Sequence, residues 1–201
     1  MFAGAVLVVL TQVHAVIQPL SLETWSEGLP LWSRVAMALM LGDLLTYWFH
    51  RACHHYEFLW RFHAVHHSAE RLDWLAAHRE HPLDGVLTLL CINLPGMLLG
   101  LPFAALGALI AFRGLWAIFI HSNVRLPLGP IRVLFGAPEL HHWHHARVPT
   151  TRHNFANLAP YLDLLFGTYH RPCEPETYPL GLTDPWPRRY LAQLIRPFRG
   201  R

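Results

Sequence analysis

Hydrophobic positions fall into four long runs in the first 120 residues, broken by short polar turns, and the pattern then changes character. Taking about 20 apolar residues as a full bilayer span, the runs at about 2–20, 31–49, 85–100 and 102–120 can each cross or enter a hydrocarbon core. The spacing predicts four helices. The last two are parted only by Leu101 and read as a tight hairpin, either two spans or a re-entrant pair, with a helix end before Pro102 as proline sterics require. Residues 1–10 are apolar with no basic flank, and no small-residue cleavage site follows His14, so this stretch is predicted to belong to the first membrane helix and not to a removable leader.

Elsewhere the pattern is mixed. Residues 51–81 are dense in Trp, Phe and His, and 133–170 hold apolar runs such as 157–166, closed by Gly167. Both are predicted to be ordered. The tail from 172 to 201 is rich in Pro and Arg with Trp186, Tyr190 and Phe198 interleaved, which suits either a segment lying along lipid headgroups or a solvated terminus. No solenoid repeat is present. The expected fold is a single all-α domain over 1–201: an integral membrane bundle of about four transmembrane or re-entrant helices under a cytosolic helical His-rich cap.

Composition sharpens this picture. Hydrophobic residues make up 53% of the chain and charged residues 14%, well below the quarter typical of soluble domains, and the mean hydropathy is +0.23. All 16 basic residues are arginine. They are scattered among apolar and His-rich segments and form no basic stripe, which argues against nucleic-acid binding. Cys53, Cys91 and Cys173 form no C-x-x-C pair, so neither a disulfide framework nor a thiolate zinc site is expected.

Charge also assigns the sides of the membrane. The loop 21–30 carries Glu23 and Glu27 and no arginine, whereas 51–84 holds Arg51, Arg61, Arg71 and Arg79, and most of the rest follow His121. Both His-rich regions, and with an even number of crossings the N-terminus, are expected on the cytoplasmic side of a multi-pass protein, at the inner membrane in a bacterium.

The 16 histidines carry the candidate chemistry. His50 and His54 stand at i and i+4, which on a helix puts both imidazoles on one face with Cβ atoms about 5–6 Å apart. His63, His66 and His67 form an H-x-x-H-H cluster, and His141, His144 and His145 form another. In each triplet the first and last residues share a face, and the middle one is turned toward a neighbouring ion. Three such clusters imply two metals. So many neutral imidazoles beside a membrane need partners for their polar atoms, and metal ions supply them.

His121, at the end of the fourth run, and His81, before Pro82, are further expected ligands, with His78 one turn earlier an open case. His55, His142 and His153 fit a supporting or surface position equally, and His14 and His170 a structural one. Imidazole-only ligation leaves a cationic site that calls for nearby carboxylates. Asp43 forms an i, i+4, i+7, i+11 stripe with Tyr47, His50 and His54. An acid inside an apolar stretch costs about 2.5–3.5 kcal/mol on insertion scales. It is therefore expected either to orient a ligand imidazole or to pair with an arginine such as Arg51. Glu80, Asp84, Glu139 and Asp163 are weaker cases of the same kind.

These residues resemble the fatty acid hydroxylase/sterol desaturase superfamily of membrane non-haem di-iron oxygenases. The resemblance rests on Asp43-Leu-Leu-Thr-Tyr47-Trp-Phe-His50-Arg51 with His54, on Leu59-Trp-Arg-Phe-His63-Ala-Val-His66-His67-Ser68, on His81-Pro82, and on His121-Ser-Asn123. It continues with His141 to His145 and closes with Asn154-Phe-Ala-Asn and Asp163-Leu-Leu-Phe-Gly-Thr168, covering about 40–170. It implies an all-helical membrane protein with a cytosolic di-metal site. There two iron ions, with zinc a possible substitute, use O2 to hydroxylate or desaturate a lipid-like substrate. Electrons would come from a donor protein or an NAD(P)H-linked reductase. Carried over by position, His50, His54, His63, His66, His67, His121, His141, His144 and His145 become the implied ligands. The chain departs from the pattern in its short N-terminal part, which implies fewer crossings than in longer relatives. The extra His142 and His78 also depart from it. Trp48, Trp60, Phe62, Trp74 and Trp143 are expected either to wall a dry cavity or simply to pack. Two rival readings are a membrane zinc hydrolase, weakened by the lack of an H-E-x-x-H glutamate, and a His-rich metal transporter or storage protein, weakened because the clusters lie at the ends of the apolar runs and not at the midplane.

Overall fold

The structure is a computed structural model that describes residues 2–124, 126, 128–148, 152–172 and 178–199; Cys173 lies outside them. Among the described residues it is built of helices, with one isolated β-bridge joining Ala146 to Leu180. The main elements are α1 (Phe2–Ile17), α2 (Glu23–Ser26), α3 (Leu31–His55), α4 (Glu57–His67), α5 (Pro82–Leu98), α6 (Phe103–His121), α7 (Pro138–His144), α8 (Tyr161–Leu165) and α9 (Tyr190–Ile195).

The four apolar runs each become a helix, but their limits shift for local reasons. α1 gives way to a 3-10 turn at Gln18–Leu20, where Pro19 enters. α3 runs past the apolar stretch to His55, which carries His50 and His54 on one continuous helix. α5 begins three residues early because His81 caps it: the imidazole Nδ1 accepts from the Leu83 amide at 3.1 Å, and Pro82 occupies the first turn where its missing N–H is harmless.

The break between α5 and α6 is a Schellman motif. The Leu101 amide donates to the Gly96 carbonyl at 2.9 Å and the Gly100 amide to the Met97 carbonyl at 3.1 Å. Gly100 takes φ +59, the left-handed conformation that closes this motif, and Pro102 then prevents any continuation.

α6 is long and apolar enough to cross a membrane, and only 11% of its apolar window is buried against the rest of the chain. A helix that is apolar all round calls for a covering surface, and the rest of the described chain supplies little of it. α5, with 17 residues, reaches about 25 Å, short of a roughly 30 Å hydrocarbon core. α3 carries Arg34, Asp43 and Arg51 in its 25 residues.

α3 is the spine of the bundle. Gly42 lets α5 approach so closely that a Cβ there would lie 2.7 Å from the Ile92 carbonyl oxygen. Arg113 of α6 is ion-paired with Asp43 on the same stretch of α3. An apolar core of Leu10, Ala38, Met97, Leu99, Leu101 and Leu106 fills the hairpin end of the bundle. A second, of Tyr47, Phe155, Ala156, Ala159 and Leu162, clamps the loop around 155–162 onto the other half of α3. The histidines gather at that second end.

Candidate metal centre

Four segments converge there: the last two turns of α3, the whole of α4, the C-terminal residue of α6, and α7 with the residue that follows it. The i, i+3, i+4 spacing sorts their side chains into two groups. His50, His54, His63, His67 and His144 form one, and His66, His121, His141 and His145 the other; within each, one nitrogen per ring lies within 4.8 Å of all the rest. The middle residue of each triplet, His66 and His144, crosses to the neighbouring group. The groups abut, with the His67 and His145 rings stacked at 4.3 Å.

Hydrogen bonding at the outer ring nitrogens fixes what the inner ones present. His50 Nδ1 donates to the Phe155 carbonyl at 2.7 Å, His144 Nδ1 to the His153 carbonyl at 2.8 Å, and His66 Nδ1 to the Arg79 carbonyl at 3.1 Å. His121 Nδ1 donates to the Ala117 carbonyl at 2.7 Å. A carbonyl oxygen can only accept, so each of these rings carries its proton on Nδ1 and a lone pair on Nε2. Those lone pairs face one another: His144 Nε2 is 2.9 Å from His50 Nε2, and His121 Nε2 is 3.2 Å from His66 Nε2. Neither contact can be a hydrogen bond. Burial, with neighbouring histidines adding to it, pushes the imidazoles of His66, His67, His141 and His145 well below their ordinary range, and that of His144 down to about 3. Protonation therefore does not relieve the repulsion at neutral pH.

A cation does relieve it. Nitrogens bound about 2.1 Å from one ion stand roughly 3.0–3.4 Å apart in octahedral or tetrahedral arrangement. The Nε2 pairs His54–His67, His63–His67, His141–His121 and His141–His145 lie at 3.1, 3.1, 2.9 and 3.1 Å. The donor sets thus fit two ions, and imidazole nitrogen suits iron as well as zinc.

Behind the rings is a supporting layer. Asp84, at the start of α5, accepts from His63 Nδ1 at 2.9 Å and is 5% exposed. Cys53 lies beside it, its thiol donating to Asp84 at 3.9 Å and pushed up by burial and by that carboxylate; Cys53, His63 and Asp84 form a third, smaller cluster of potential ligands. Asp163 organises the loop whose carbonyls orient His50 and His144. Its carboxylate takes the amides of Phe155 and Ala156 at 2.8 and 2.9 Å and the Thr168 hydroxyl at 2.7 Å. Burial, offset by these bonds, moves its carboxyl up to about 6. Tyr47 shares a 2.7 Å hydrogen bond with Thr168 and receives one from Arg51 at 3.1 Å. Asn154 sits at φ 58, and its amide bridges the Leu140 carbonyl of α7 and the main chain of His170. A short polar side chain is one of the few that tolerates that backbone.

Several sequence expectations come out differently. His81 lies outside both groups: besides capping α5, its Nε2 contacts the Leu194 carbonyl at 3.2 Å. His78 is exposed at the end of the 3-10 turn Trp74–His78 and joins neither group. His142 faces the opposite side of α7, toward Glu70, Arg71, Asn123 and Glu139. His153 supplies its carbonyl, while its ring lies 5.5 Å from that of His170. Asp43 orients no imidazole and pairs not with Arg51 but with Arg113, a partner 70 positions away that only the helix packing reveals.

A cavity of about 140 Å³ adjoins both groups. It touches His50, His63, His66, His121 and His141. Its other walls include Phe49, Ile92, Trp116, Ala117, Leu158 and Leu162, with the Asp43–Arg113 pair also on its surface. None of the five aromatics expected to wall it does so. Trp48 and Trp74 are exposed, Trp60 packs on the His54 and His67 rings, Phe62 on His81, and Trp143 stacks on His170.

Comparison with known proteins decides the lineage. The sequence profile of the fatty acid hydroxylase family matches residues 35–168, two thirds of the chain and every residue of the two histidine groups. The chain belongs to the fatty acid hydroxylase family. Within that family it is 35% identical to the ornithine lipid hydroxylase OlsE of Rhizobium tropici over 178 residues, covering 87% of this chain and 53% of that protein. It is 32% identical to human alkylglycerol monooxygenase over 147 residues, covering 71% of this chain and 32% of the relative. It is 30% identical to the very-long-chain aldehyde decarbonylase GL1-11 of Oryza sativa over 149 residues, 71% of this chain and 56% of the relative. The chain thus spans about half, or less, of the length of these relatives. No solved structure matches it.

Proposed function

We propose that this member of the fatty acid hydroxylase family is a membrane-bound di-iron oxygenase that uses O2 and electrons from an external donor protein or reductase to hydroxylate or desaturate a lipid. The observation that carries the reading is the convergence of Nδ1-protonated, buried imidazoles whose lone pairs meet in two adjacent groups. Relatives named as lipid hydroxylases and monooxygenases support the oxidative side of it.

In this reading His50, His54, His63, His67 and His144 hold one ion and His66, His121, His141 and His145 the other. The ions supply the O2-activating redox chemistry. The chain's own residues do the rest. For His50, His63, His66, His121 and His144, backbone carbonyls and Asp84 keep the protons on the outer nitrogens and the lone pairs inward, which is the usual way a protein orients ligating histidines. The apolar wall of Phe49, Ile92, Trp116, Leu158 and Leu162 admits an aliphatic segment and excludes bulk water from it. In the same reading the whole chain is one domain. α1, α3, α5 and α6 sit in the bilayer as spanning or re-entrant helices, and the histidine end is cytosolic.

The test is expression in a lipid-defined host, with untargeted lipid mass spectrometry and metal analysis of the purified protein. Two irons per chain and an oxygen-dependent lipid product, abolished by His66→Ala and by His144→Ala, are expected. A protein holding only zinc, with a lipid product that forms without O2, would overturn the reading in favour of a hydrolase.

A further inference from the structure

The cavity has a feature that neither metal binding nor an aliphatic substrate uses: a buried ion pair on its wall. Asp43 and Arg113 are each about one-tenth exposed. On α3 the pair lies seven residues before His50, and on α6 eight residues before His121, so along both helix axes its Cα atoms stand about 10–12 Å from those of the histidines. These are two independent measures of one distance.

The pair has hydrogen-bonding capacity to spare. Arg113 offers five N–H donors, and its bonds go from Nη1 to Asp43 and from Nη2 to the Leu39 carbonyl at 2.7 Å. A charged pair facing a purely aliphatic occupant is poorly compensated, because desolvating two ions costs several kcal/mol unless their remaining hydrogen-bonding sites are filled. An anionic occupant would meet Asp43 as well as Arg113 and gain little. A neutral group that both donates and accepts suits the two partners at once.

We propose that the Asp43–Arg113 pair is the specificity determinant of the cavity, anchoring a hydroxyl or amide group of the lipid and thereby fixing which carbon lies beside the histidines. The proposal rests on the oxygenase reading for its consequence, though not for the binding itself. An extended chain advances about 1.2 Å per bond, so the oxidised carbon falls roughly eight to ten bonds from the anchored group.

Two measurements test it. In the lipid-defined host, tandem mass spectrometry locates the new oxygen or double bond. Wild type is expected to modify one position. Asp43→Leu/Arg113→Met, which leaves the site neutral overall and makes it apolar, is expected to keep its metal and scatter the product over neighbouring positions. Asp43→Asn/Arg113→Gln, which keeps a donor and an acceptor, is expected to restore the single position. A brace that merely ties α3 to α6 would not change the position of oxidation, and an unchanged position in the leucine–methionine variant overturns the proposal.

The second measurement needs no turnover. Purified holoprotein is titrated with terminally brominated decanol and terminally brominated decane, reading the quenching of Trp116, which is assigned by its loss in Trp116→Phe. The alcohol is expected to act at about tenfold lower concentration, the size of one hydrogen bond to a charged group, and the difference to vanish in the leucine–methionine variant. Equal quenching by both probes in wild type overturns the proposal. Absence of any oxidised lipid while the alcohol still binds selectively refutes the oxygenase reading and leaves the anchor standing.

Discussion

His63 is the imidazole whose inner nitrogen is set by a full negative charge, through Asp84 at 2.9 Å. Asp84→Asn leaves the volume unchanged and removes the charge, so affinity for the ion held by that group is expected to fall roughly 10- to 100-fold, as read by competition against a chelator. Unchanged affinity would mean that the carboxylate only neutralises the surroundings. The burial of His144 gives a pH dependence. Its imidazole titrates near 3 in the folded chain and near 6.5 when unfolded, so between those values the unfolded chain binds the extra proton. Stability is then full above about pH 6.5 and is lost as the pH falls toward 3. The metal-free protein is expected to melt at a lower temperature at about pH 5 than at about pH 7.5, followed by circular dichroism in detergent; the reverse order would contradict neutral, buried rings. At this scale the division of His63, His66 and His67 between two groups was legible, because helical periodicity alone dictates it. The acceptors behind them were not. The carbonyls of Arg79, Ala117, His153 and Phe155 belong to no side chain, so no letter of the sequence marks them. His81 misled for the opposite reason: a histidine before proline serves as a helix cap with the same letters that would serve a metal.

Gly42 decides how α3 and α5 meet. A methyl there would press on the Ile92 carbonyl at 2.7 Å, and backbone cannot yield as a side-chain tip can. Gly42→Ala is expected to destabilise the protein by about 1–3 kcal/mol and, by levering α5 away, to loosen Asp84 from His63. The check is a lowered melting temperature together with weakened metal retention; a neutral result would show that the helices separate freely. The four apolar runs foretold the helices well, since burial and lipid exposure both demand the same letters. Hydropathy makes the α5–α6 turn one residue wide, yet the Schellman closure takes Leu99 to Pro102. The pairing of Asp43 escaped the sequence because Arg113 stands on a helix whose rotation only packing sets.

Across the whole molecule, nine imidazoles from α3, α4, α6 and α7 meet in one place, so an ion that binds the folded chain alone stabilises all four elements together. At a free metal concentration about 100 times the dissociation constant the gain is roughly 2.7 kcal/mol. Stripping the metal is expected to lower the melting temperature and to raise hydrogen exchange first in α4 and α7. Exchange that rises first in α1 and α9 instead would place the ions elsewhere.

The order of those segments along the chain has a further consequence for how the protein is made. His67 leaves the ribosome 77 positions ahead of His144, which at about 5–20 residues per second leaves half a coordination shell waiting roughly 4–15 s for its remainder. When His67 emerges, one nest of nitrogens lacks a single arm and its neighbour lacks three. A nascent chain is thus exposed to premature capture by whichever ion arrives first, and faithful loading must follow translation of α7.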